Sequence, residues 1–150
     1  MKKYEQIDIS GDVGLRVFGE RIEILFENAA AGMYDLITDV STINDTEEKE
    51  IVLSAENHED LLVGWLNELV FLYDTYSFTG KKAAVHIEND ASASHARDTV
   101  SPITLKAVIS GGIFNPDINE QRLLIKAATY HNLTLRKKNS TWEATVIFDI

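Results

Sequence analysis

The stretch TWEATVIFDI, residues 141–150, decides the fold. Its apolar residues recur at every second position. Trp142, Ala144, Val146 and Phe148 point one way, and Glu143, Thr145, Ile147 and Asp149 point the other. That period belongs to a β-strand with one buried face and one wetter face. Asn139-Ser140 just before it is turn chemistry, and residues 133–138 form a second strand, so the two read as a hairpin. The strand runs to the last residue of the sequence. The side chain of Asp149 and the α-carboxylate of Ile150 therefore stand side by side. Neighbouring carboxylates repel unless they are solvated or share a cation.

Moving back along the chain, residues 123–130 read as another strand. Asn115-Pro116-Asp117 and Gly111-Gly112 read as turns. ITLKAVIS, residues 103–110, alternates cleanly, and residues 83–88 are a further strand. Between them NDASASHARDTVS, residues 89–101, is small and polar, the composition of an exposed, mobile loop.

The first half has a different period. Ile22, Leu25, Phe26, Ala29, Met33, Leu36 and Ile37 fall three and four apart, which predicts an amphipathic helix starting near Glu20. Polar residues 42–46 end it, and residues 50–55 read as a strand. Asn57, with Asp60 three residues on, can cap a second helix over residues 59–75. Leu61, Leu62, Trp65, Leu66, Leu69, Leu72 and Tyr73 give that helix a broad apolar face. Gly64 inside it costs about 1 kcal/mol relative to alanine. VGLRVFG, residues 13–19, is a strand after a short opening segment, residues 1–8. Two long helices early and strands late predict an α+β domain over residues 1–150, with the helices packed on mainly antiparallel sheet.

Composition narrows the function. The chain has 150 residues and no cysteine, so disulfides, thiolate nucleophiles and cysteine-bound metals are excluded. Its net charge of −10 repels phosphate backbones, which argues against direct, tight nucleic-acid binding. A basic protein partner or a cation suits it better. The opening MKKYEQIDISGD lacks the apolar core of a signal peptide, and no apolar run is long enough to span a bilayer. The expectation is a soluble, cytoplasmic protein with no membrane association.

Catalytic motifs are absent: no P-loop, no G-x-S-x-G and no H-E-x-x-H. His58, His86, His95 and His131 show no ligand spacing; His58 and His95 read as solvated, His86 sits on a polar strand face, and His131 is either structural or functional. A hydrolytic site built from Asp12, Asp149 and His131 would lack any nucleophile motif. SGDVG, residues 10–14, places Asp12 between glycines, either as a turn residue or as an oxygen ligand held on a tight loop.

Four segments together carry a resemblance. SGDVGLRVFG, WLNELVFLYD (residues 65–74), IKAATYHNL (residues 125–133) and the final VIFDI, in this order, resemble the archease family. The resemblance implies a small α+β protein that is not an enzyme. Archeases assist an RtcB-type RNA ligase in tRNA splicing or repair, promoting its guanylylation and turnover. It also implies a divalent ion, often Ca²⁺, with Mg²⁺ or Mn²⁺ as alternatives. On this sequence the matching ligand positions are Asp12, Asp149 and Ile150, the last through its terminal carboxylate. The chain departs from the family pattern at Ile9, where a histidine is usual, and at Leu124, where an acidic residue is common. The alternative implied by those departures is a metal-binding or interaction module without a ligase partner.

Overall fold

The computed structural model describes residues 2–89 and 102–150. Residues 90–101, which include His95 and nearly all of the expected loop, lie outside the described residues; Asn89 itself ends a strand. The architecture is α+β, as the alternation of periods predicts. Along the chain run β1 (Tyr4–Ile9), β2 (Asp12–Gly19), α1 (Ile22–Ile37), β3 (Glu47–Ala55), α2 (His58–Tyr76) and β4 (Phe78–Asn89). They are followed by β5 (Ile103–Ile113), β6 (Ala127–Ala128), β7 (Thr134–Lys138) and β8 (Thr141–Asp149). A five-stranded sheet has the order β1-β2-β8-β6, with β7 also alongside β8, and a three-stranded sheet has the order β3-β5-β4. The strand pairings are antiparallel.

Both helices contact both sheets, so one apolar core joins the whole molecule. Leu25, Phe26, Ala29, Met33 and Ile37 of α1 are buried, as are Leu61, Leu62, Trp65, Leu66 and Leu69 of α2. Each of the larger aliphatic and phenyl side chains among them contributes about 1.5–3 kcal/mol. The Trp65 indole N–H donates to the Phe26 carbonyl at 3.0 Å, which satisfies the ring's polar atom inside the core. Asn57 caps α2 as its sequence predicts: its Oδ1 accepts the Asp60 N–H at 2.7 Å. Asn57→Ala is expected to cost about 1 kcal/mol. That corresponds to a fall in Tm of about 2–4 °C, measurable by circular dichroism. Among the described residues no helix is long and apolar enough to cross a membrane.

Three expectations change. Gly111-Gly112 is not a turn but part of a strand, near its end, because β5 continues to Ile113. The two glycines are there for close approach: a Cβ on Gly111 would lie 2.0 Å from the Thr79 carbonyl oxygen, and one on Gly112 would lie 1.9 Å from that of Asn44. Residues 123–130 are not one strand either; only Ala127–Ala128 pairs in the sheet. The segment before it is claimed by α1. Its Arg122 and Leu123 N–H groups donate to the Ile37 and Leu36 carbonyls at 3.0 Å each, satisfying groups that the helix end leaves unpaired. Third, the opening segment is a strand. Ile9 pairs with Asp12, so Ser10 and Gly11 form a two-residue hairpin loop, with φ of 47° and 88°. Positive φ at both positions is what a type I′ turn requires.

Candidate functional site

That hairpin delivers Asp12 as the first residue of β2. The β2–β8 ladder ends where Val13 pairs with Phe148, and Asp12 and Asp149 are the next residue beyond that pair on each strand. Opposed residues of an antiparallel pair project from the same face. Val13 and Phe148 go into the core, so Asp12 and Asp149 go to the other face, and both are exposed. Sequence separation of well over a hundred residues is thus removed by sheet pairing alone.

The last strand is held on its second edge as well. β6 pairs Ala127 with Asp149 and Ala128 with Phe148. The Lys126 N–H donates to the Asp149 carbonyl at 2.7 Å. Thr129 donates both its N–H, at 3.0 Å, and its hydroxyl, at 2.8 Å, to the Ile147 carbonyl. Lys126 itself is exposed.

Next to the two aspartates on this face sits an apolar shelf. Ile147 was expected on the wetter face but is 3% exposed. The reason is Gly14: a Cβ there would come within 2.6 Å of Ile147 Cδ1 and 3.1 Å of Ile7 Cγ1, so the absent side chain is the space those two isoleucines fill. One step further, Arg16 pairs with Glu5 at 2.8 Å and approaches Glu143 at 3.6 Å. Its charge is therefore already committed. Among the described residues no lysine, arginine or histidine forms an ion pair with Asp12 or Asp149.

Among the described residues no three side chains of the His, Cys, Asp or Glu types are grouped to hold an ion. His131 therefore does not complete a cluster with Asp12 and Asp149; it is exposed, and its backbone N–H donates to Thr129 Oγ1 at 3.3 Å. The two aspartates could hold a hard cation with the Ile150 carboxylate as the third donor. All three supply oxygen, which is the donor chemistry of Ca²⁺ and Mg²⁺. His58 is half-buried: part of it meets solvent, as expected, and its ring also meets Trp142 edge-on, with centroids 6.0 Å apart. His86 is exposed on the polar face, 2.7 Å from Glu88.

Two further contacts went unread in the sequence. Asn67 of α2 accepts the Ala128 N–H at 2.8 Å and donates to the Ala128 carbonyl at 3.2 Å. Tyr130 donates its hydroxyl to Asp60 at 2.9 Å, and that bond to a carboxylate raises the phenol's pKa. The available signal was Asn67 itself, a poor helix former in the interior of an apolar helix.

Comparison with known proteins supplies the context. The model of the Archease protein family (MTH1598/TM1083) matches residues 4–150. The archease of Methanosarcina mazei is 33% identical over 149 residues, covering 99% of this chain and 97% of that protein. The archease of Saccharolobus solfataricus is 34% identical over 150 residues and is covered completely, as is this chain. The solution structure of Methanobacterium thermoautotrophicum protein 1598 superposes with a TM-score of 0.84 at 29% identity, covering all of both chains. The crystal structure of a Thermotoga maritima archease, described as a possible chaperone, gives a TM-score of 0.61 at 19% identity, covering 100% of this chain and 99% of that one. The last of these likenesses speaks to the fold alone.

Proposed function

The chain belongs to the archease family, and on that premise we propose that it is a non-catalytic activator of an RtcB-type RNA ligase, carrying a divalent ion at Asp12, Asp149 and the Ile150 carboxylate. The observation that supports the ion site is the end of the β2–β8 ladder: Asp12 and Asp149 each follow its last pair, both are exposed, and among the described residues neither has a basic partner. With the terminal carboxylate they offer up to six oxygens, a set that suits Ca²⁺, with Mg²⁺ or Mn²⁺ as smaller substitutes. The ion would neutralise charge and tie the β1–β2 hairpin to the end of β8.

The partner is inferred from charge and family. A surface of net charge −10 complements an RNA-binding enzyme, whose docking face is basic, and such complementarity speeds encounter and fixes register. Catalysis then stays with the ligase, which forms its guanylate on its own histidine. This chain's residues position and hold; they do no bond-breaking chemistry in this reading. The cytoplasm is the compartment that fits such a partner.

The decisive experiment follows labelled GTP into the covalent adduct of a cognate RtcB-type ligase. Adduct is expected to accumulate faster when this chain is added with a divalent ion. No stimulation across a full range of chain and ion concentrations would remove the activator role. The exposed Leu124, where the family tends to carry an acid, favours one second reading. In that reading the ion binds but no ligase co-purifies with the chain from its native cell.

A further inference from the structure

We propose that Asn67 is a positioning residue for the C-terminal carboxylates, acting through β6. This inference rests on the ion site proposed above. β6 is only two residues long, and a strand of that length has little pairing of its own to keep it in place. Its Ala128 carries one N–H and one C=O that turn away from β8. The Asn67 amide meets both, accepting at 2.8 Å and donating at 3.2 Å. A single carboxamide thus does for Ala128 what a neighbouring strand would do. It has the right reach because α2 packs directly against β6.

The consequence passes along β6 by named bonds. On the opposite side of the same short segment, Lys126 N–H holds the Asp149 carbonyl at 2.7 Å and Thr129 holds the Ile147 carbonyl at 3.0 and 2.8 Å. Those carbonyls lie just before Phe148 and between Asp149 and Ile150, so the second joins the two residues that carry ligand groups. Helix α2, whose apolar face is buried in the core, is thereby coupled through Ala128 to the last residues of β8. Losing a group bonded directly to a ligand typically weakens metal affinity about 10–100-fold, and Asn67 acts one backbone segment further out, so the lower end of that range applies.

Two substitutions separate this role from packing. Asn67→Ala removes both bonds. Asn67→Asp keeps the acceptor but sets a carboxylate against the Ala128 carbonyl. Asn28→Ala is the comparator: Asn28 makes a single 2.8 Å bond to the Phe18 carbonyl, near the far end of β2 from Asp12. Calorimetric titration with Ca²⁺ is expected to show about tenfold or weaker binding in both Asn67 variants and native affinity in the comparator. Native affinity in folded Asn67→Ala and Asn67→Asp overturns the positioning role alone. A flat titration of the native chain overturns the ion site and this role with it. If the Asn67 variants fail to fold, hydrogen exchange on the native chain decides. Ca²⁺ is expected to slow the Ala128 and Lys126 amides, and unchanged exchange at both overturns the role.

Discussion

Asp12→Ala is expected to weaken Ca²⁺ binding on the order of 100-fold or more while the chain remains folded. The two halves of that outcome have separate causes. Asp12 is exposed on the solvent face of its sheet, so its removal leaves no cavity and no orphaned buried group. Without an ion it lies with Asp149 at the end of the β2–β8 ladder, and losing one of two nearby carboxylates relieves repulsion. The unliganded variant should therefore melt at or slightly above the unliganded native chain. With the ion the sign reverses. Losing one anionic ligand from a site with so few is expected to weaken affinity on the order of 100-fold or more. At a free ion concentration of about 100 Kd, binding stabilises a folded chain by about 2.7 kcal/mol. For a domain of this size that is about 5–10 °C in Tm. Ca²⁺ should raise the native Tm by that amount and move Asp12→Ala by no more than about 1–2 °C. One residue added after Ile150 should act like Asp12→Ala, because it carries the terminal carboxylate about 3.8 Å further along the chain. Equal Ca²⁺-induced shifts in all three chains would rule out the proposed ligand set.

How much of this was legible follows from what each residue type reports. The helices were, because the apolar spacing of Leu25, Phe26, Ala29 and Met33 answers directly to the core they enter. So was the capping of α2 by Asn57, a contact within one turn. β8 was readable for Trp142 to Val146, where alternation matches the two faces. It failed at Ile147, since the burial of that side chain depends on a glycine in another strand. β1 was missed for a similar reason: YEQIDI has no strong pattern of its own and is a strand because the Ser10-Gly11 turn folds it onto β2. The site was half legible. Asp12, Asp149 and Ile150 came from the archease resemblance, and no spacing rule could show that Asp12 and Asp149 are neighbours. Asn67 and Thr129 act on backbone groups whose positions only the folded chain defines.

The glycines of β5 give the largest expected loss of stability. Gly111→Ala should destabilise the chain by about 3 kcal/mol, the upper end of what overpacking costs. Its partners across the three-stranded sheet are Glu47 on β3 and Gly80 on β4. β4 shifts register between Gly80 and Lys82, next to the point where its backbone lies close to Gly111. An added Cβ would lie 2.0 Å from the Thr79 carbonyl oxygen and 2.8 Å from Gly80 Cα. Both are backbone atoms, so no side chain can rotate away; β4 and β5 would have to separate. That would also strain the Gly111 carbonyl, which accepts the Thr46 N–H at 2.8 Å. Gly64→Ala is the matched comparison. Nothing lies within 4 Å of a Cβ at Gly64, on the exposed side of α2. There the same added methyl group should stabilise by about 1 kcal/mol, through helix propensity alone. Urea denaturation reads both, with slopes of about 1–3 kcal/mol per molar. Gly111→Ala should lower the midpoint by about 1 M or more, and Gly64→Ala should raise it. A Gly111→Ala midpoint within error of the native one would mean that β4 and β5 do not approach as closely as the register requires. The turn reading of Gly111-Gly112 would then have to be restored.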